Sequence, residues 1–109
     1  MSVFRIDAFE VPADVVTELR AAAWPTLQVI RAQDGYIRDQ WFEKATGAGK
    51  INVVTLAEWR DAESIDRAVE AVRVHNAKTG ADPAAFLSKR GIVAHRSVFN
   101  ALPDSELEQ

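Results

Sequence analysis

The stretch INVVTLAEWR, Ile51 to Arg60, runs without a break into Asp61-Ala62-Glu63-Ser64. Its β-branched residues read as a strand, and the acidic residues after it read as the first turn of a helix. Successive side chains of a strand point to opposite faces, so Val53, Thr55, Ala57 and Trp59 share one face while Val54, Leu56 and Glu58 share the other. Both faces are largely apolar, so both are expected to be covered.

Working outward, Val3 to Val11 (VFRIDAFEV) reads as another strand, with Val3, Arg5, Asp7, Phe9 and Val11 on one face and Phe4, Ile6, Ala8 and Glu10 on the other. Pro12 then opens a helix whose apolar stripe is Val15, Val16, Leu19, Ala22, Ala23, Leu27 and Ile30. Pro25 should kink or split it near Ala21 to Trp24, because proline lacks an N–H and clashes with the preceding turn. Asp34-Gly35 turns the chain into a strand over Tyr36 to Ala45, and Thr46-Gly47-Ala48-Gly49 forms the hairpin into Lys50 to Arg60. A second helix runs from Asp61 or Ala62 to about Lys78, with Ile65, Ala68, Val69, Val72, His75 and Asn76 at helical spacing and Gly80 as its stop. Asp82-Pro83 caps a short helix through Phe86 and Leu87, Gly91 ends it, and Ile92 to Leu102 reads as a fourth strand.

The order β-α-β-β-α-β is the ferredoxin-like arrangement, an α+β fold with a four-stranded antiparallel sheet. One domain is expected over residues 1–102 and an acidic, frayed tail over 103–109. Two helices cover one sheet face. The other, carrying Phe4, Ile6, Val54 and Leu56, is most economically buried against the same face of a second copy, so a homodimer joined through its sheets is expected.

The bulk composition narrows the function. The 109 residues carry 13 Lys and Arg against 16 Asp and Glu, and the basic residues are scattered, which disfavours nucleic acid as a partner. No cysteine is present, so disulfides, thiolate nucleophiles and Cys-ligated metals are excluded together. No apolar run approaches the ~20 residues of a membrane span, and the expectation is a cytoplasmic protein with no membrane partner.

This architecture, with GYIRDQWFE at Gly35 to Glu43 and VVTLAEWRDAESIDRAVEAV at Val53 to Val72, resembles the antibiotic biosynthesis monooxygenase family of the dimeric α+β barrel superfamily. The resemblance spans roughly Val3 to Leu102. It implies a dimeric α+β barrel and a choice among activities: oxidation of polycyclic aromatics and quinols by dioxygen without metal or flavin, haem degradation, or processing of small signalling molecules. Anthrone-oxidising members place a Trp at the strand end matching Trp59, as part of the substrate cavity. The Asn they carry four residues earlier is Thr55 here, and the Tyr six residues later is Ile65.

The candidate site is the sheet face beneath the helices. Arg5, Asp7, Phe9, Thr55 and Trp59 lie on it, and His75 continues the apolar stripe of the second helix. His75 suits a general base because its ordinary pKa lies near neutrality. Asp7 is the second candidate base, or the residue that orients His75, with a salt bridge to Arg5 as its structural alternative. Thr55, Arg5, Phe9 and Trp59 are the candidate substrate contacts, although Trp59 equally reads as core filling. The reaction expected is oxidation of a small aromatic or quinol-like substrate by dioxygen without a cofactor. The alternatives are a non-catalytic dimeric binding protein and a haem-binding or haem-degrading one. Two His residues without Cys are too few for a metal cage.

Overall fold

The computed structural model describes residues 1–108 and contains four strands, β1 Val3–Glu10, β2 Tyr36–Glu43, β3 Ile51–Trp59 and β4 Val93–Phe99. The helices are α1 Val16–Arg31, α2 Ala62–Thr79, α3 Pro83–Lys89 and α4 Asp104–Leu107, with a single 3-10 turn over Ala13–Val15. The strands form one antiparallel sheet in the order β2-β3-β1-β4. This is the ferredoxin-like fold expected from the element order.

Local chemistry sets the helix ends. The Asp61 carboxylate accepts from the Ser64 backbone N–H at 2.8 Å and caps α2, while Gly80, at φ 77°, closes the same helix in the left-handed conformation. Asp82 caps α3 by accepting from the Ala85 N–H at 3.1 Å. Pro25 lies inside α1, which runs unbroken from Val16 to Arg31, so the expected split near Trp24 does not occur. Ala21, whose carbonyl loses its partner to the proline, is exposed, as are Trp24 and Pro25, and water can satisfy that carbonyl.

Other boundaries also move. β4 stops at Phe99 rather than Leu102, where its pairing with β1 ends, and β2 stops at Glu43, although Lys44 N–H still donates to the Asn52 carbonyl at 2.8 Å. The tail carries the short exposed helix α4 where fraying was expected. Val69, at the spacing of the inward stripe of α2, is 52% exposed, since Ile65 and Ala68 already meet the sheet.

Helices cover the Val53–Trp59 face at its two ends. At one end Phe9, Val11, Leu19, Val53 and Ile92 form a buried cluster. At the other, Ala57, Trp59, Ile65 and Ala68 form a second.

A tight crossing joins the α1–β2 turn to the β3–α2 turn. Arg60 N–H donates to the Gly35 carbonyl at 2.8 Å, and the Arg60 guanidinium reaches Asp34 at 3.1 Å. Gly35 has φ 89°, and a Cβ there would overlap Ser64 Oγ and stand 2.5 Å from the Cβ of Ser64, which is fully buried. Gly47, at φ 102°, faces open space. Gly35→Ala should therefore lose at least about 2 kcal/mol of unfolding free energy, combining left-handed strain with the clash, and Gly47→Ala clearly less. Urea unfolding of both variants checks this, and equal losses would show that the crossing tolerates a methyl group.

Candidate active site

The pairing register lays the helix-side residues out in rows across the sheet. One row is Trp41, Thr55, Asp7 and Arg96, and the next is Asp39, Ala57, Arg5 and Val98. The rows beyond belong to the two buried clusters, through Val53, Phe9 and Ala94 on one side, with Glu43 at the β2 edge, and through Trp59 and Val3 on the other. A polar band thus crosses the sheet between two apolar ends.

Within the band, Arg5 Nε donates to Asp7 Oδ1 at 3.1 Å, and Arg96 Nε stands 3.6 Å from Asp7 Oδ2. Asp7 is therefore held by two arginines, one on each oxygen. The Arg5–Asp7 pair expected from spacing is present, and whether His95 or Arg96 of β4 joins it on the helix side depends on strand register. Cross-strand pairing of Arg96 with Asp7 and of His95 with Ala8 settles it. His95 lies on the open face, 3.0 Å from Glu10.

Thr55 is half-buried, and its hydroxyl makes no hydrogen bond among the described residues. No buried side-chain polar atom there lacks a partner, so the hydroxyl reaches solvent and can meet a ligand. Phe9 is 7% exposed and Trp59 2%. Trp59 packs edge-on against Tyr36, with ring centroids 5.7 Å apart and planes at 79°, inside the second cluster. Both rings bound the polar band from within the core.

His75 lies elsewhere. It is half-buried and lines a groove of about 470 Å³ between α1 and α2, together with Val29, Gln33, Ala71 and Val74. None of Arg5, Asp7, Phe9, Thr55 or Trp59 lines that groove. The structure thus brings Arg5, Asp7 and Thr55 onto one surface with Phe9 and Trp59 at its ends, and does not join His75 to them. Helical spacing identifies a stripe, but a helix inclined on its neighbour turns the end of the stripe toward the other helix.

The β2 edge of the band has its own polar links. The Tyr36 hydroxyl donates to Asp39, which also accepts both Nε (2.7 Å) and a terminal nitrogen (2.8 Å) of Arg31. Arg31 foremost holds the Asp39 carboxyl below its ordinary range, while burial, followed by the bond to Asp39, raises the Tyr36 phenol. The Trp41 indole N–H donates to Glu43 at 2.7 Å, so its polar edge is committed and its ring serves as a wall.

Glu43 also receives Arg20. The Arg20 hydrogen bonds, and secondarily that of Trp41, bring its carboxyl from the usual 4.5 to about 2. A depressed folded-state pKa adds stability above the unfolded value that is lost as pH falls through the folded one. Resistance to thermal unfolding should therefore fall as pH drops from about 4.5 to about 2, and Glu43→Gln should flatten that slope. An unchanged slope would remove the Glu43 contribution.

The sequence matches the family described as Antibiotic biosynthesis monooxygenase over residues 2–79. No protein of curated function matches it significantly. Among solved structures, it is similar to SnoaB, a cofactor-independent oxygenase from Streptomyces nogalater, at 17% identity and TM-score 0.64, with 94% of each chain covered. It is also similar to the heme-degrader MhuD from Mycobacterium tuberculosis, at 19% identity and TM-score 0.67, covering 94% of this chain and 97% of that one. At these identities the likenesses establish the shared fold.

Proposed function

The chain belongs to the antibiotic biosynthesis monooxygenase family, and on that premise we propose that it oxidises a small aromatic or quinol-like substrate with dioxygen, without a cofactor. The observation that carries this reading is the solvent-reached polar band, Thr55, Asp7 and Arg5, set between the apolar ends built on Phe9 and Trp59. A base removes a proton from a phenol or activated C–H; the phenolate or carbanion passes one electron to dioxygen, the substrate radical and superoxide join in a C–O bond as a hydroperoxide, and loss of water leaves one oxygen atom on the substrate as a carbonyl. The substrate supplies the electrons, so the scheme calls on no resident redox group.

Asp7 is the candidate base within the band. His75 serves as base only for a substrate that extends to the groove between α1 and α2. Loss of the base should slow turnover of candidate quinols by about 100-fold or more. Asp7→Asn and His75→Ala assayed side by side identify which group acts, and equal rates in air and under anaerobic conditions would sink the monooxygenase reading. Saturable binding with no turnover would instead favour a non-catalytic binding protein using the same polar band.

Haem binding is the second reading, favoured by the fold shared with MhuD. The residues on the band do not fit it well, because neither imidazole lies there: His75 lines the helix groove and His95 the open sheet face. A Soret band on adding hemin, lost in His75→Ala, would restore it.

The same proposal includes a homodimer in the cytoplasm. No helix among the described residues is long and apolar enough to cross a membrane. The chain is a slab of 44 × 37 × 17 Å with a radius of gyration of 15.1 Å, against about 13 Å for a compact domain of this length. Its accessible surface is 7219 Å², where a monomer of 12.0 kDa exposes about 6,000 Å². The excess, about 1,200 Å², exceeds the ~800 Å² that one partner gives to a standard interface. On the open face Phe42, Val93 and Phe99 are 51%, 47% and 48% exposed, and Ile6, Val54 and Leu56 lie among them. Sedimentation equilibrium should give twice the 12.0 kDa chain mass, and Leu56→Arg should return it to the monomer value. A monomeric wild type would overturn the assignment.

A further inference from the structure

The band across the sheet carries more positive charge than its carboxylates neutralise, because Asp39 is taken up by Arg31 and Asp7 is left to two arginines. Arg5 and Arg96 share Asp7 alone, each through Nε. Several arginines outside the band are matched more fully, although Arg38 too donates only through Nε, to Glu58. Arg20 forks onto both oxygens of Glu43, Arg31 onto Asp39 and Arg73 onto Glu70. Arg60 likewise engages Asp34 with both terminal nitrogens. Among the described residues Arg96 is the one arginine that donates no hydrogen bond, and Arg5 donates only through Nε, leaving its terminal nitrogens uncommitted.

Two guanidinium groups against one carboxylate leave one unit of positive charge where the side chains remain reachable: Arg5 is 28% exposed and Arg96 44%. The complement to uncommitted planar N–H donors is an oxyanion, which accepts from two of them at once. The neighbours suit an aromatic body for that anion. Val98, opposite Arg5, is 51% exposed on the same face, the Arg96 guanidinium lies 5.9 Å from the Phe9 ring centroid, and the Thr55 hydroxyl reaches solvent.

We propose that Arg96 and the terminal nitrogens of Arg5 form an anion-recognition site that receives the carboxylate or phenolate oxygen of an aromatic acid. This deepens the reading above by naming the charge of the substrate, and it rests on that reading for the band being the substrate site. Asp7 then holds the two guanidinium planes in place, and the ring of the acid lies along Val98 and Thr55.

Two isosteric probes test this, 2-naphthoate and the neutral 2-naphthamide, each titrated under anaerobic conditions into the full-length protein and followed by calorimetry. The wild type should bind 2-naphthoate about tenfold more tightly than 2-naphthamide. Arg96→Gln should abolish that preference and leave the 2-naphthamide affinity unchanged, and Arg96→Lys should restore part of it. Arg5→Gln gives an independent second variant, and thermal unfolding confirms that each variant is folded. Equal affinities in the wild type, no measurable binding of 2-naphthoate at its solubility limit, or a preference that survives Arg96→Gln would overturn the proposal. Because binding is read without dioxygen, the outcome is separate from turnover. Anion preference in a protein that oxidises nothing would keep this site and remove the monooxygenase reading, while oxidation of neutral quinols without charge preference would do the reverse.

Discussion

The arrangement depends on the register of β1 against β3. Phe9 pairs with Val53 and Asp7 with Thr55, while Val3 pairs with Trp59 at the far end. A one-residue slip would turn Arg5 and Asp7 to the open face and drive Phe4 and Ile6 under the helices. The register shifts between Phe9 and Glu10, and there the Asn52 side chain takes the place of a strand. Its carboxamide accepts from Val11 N–H at 2.9 Å and donates to Val11 C=O at 2.6 Å, satisfying both backbone groups of a residue that is itself buried.

With the register held, the division of the core follows. α1 places Leu19 over the Phe9 end and Ile30 near the Trp59 end, while α2 brings Ile65 and Ala68 only to the latter. The middle rows are left with Asp7 half-buried, an expensive position for a carboxylate unless it is paired. Arg5 and Arg96 supply the pairing, and the surplus of one guanidinium gives the surface its chemical character.

Much of the fold was legible because it rests on local signals. Period-two runs placed the strands, and Asp61, Gly80 and Asp82 marked helix ends by hydrogen-bond chemistry that acts over three or four residues. The Arg5–Asp7 pair was legible for the same reason, being two residues apart on one strand. Pro25 does not split α1, because its penalty depends on whether the freed carbonyl is buried or wet, and that is decided by the neighbours of α1. Asn52 and Arg96 carried no local signal, since their partners lie 41 residues away in one case and on a non-consecutive strand in the other.

The sequence by itself determined the element order, the α+β class and the set of side chains that share each strand face, because these follow from backbone periodicity and capping. Tertiary structure decided which face each fourth-strand residue presents to the helices, so that Arg96 rather than His95 meets Asp7. It also decided that His75 lines the groove between α1 and α2 rather than the sheet face. Both outcomes depend on contacts between segments distant in the chain, where strand register and helix inclination, rather than spacing along the chain, set what touches what.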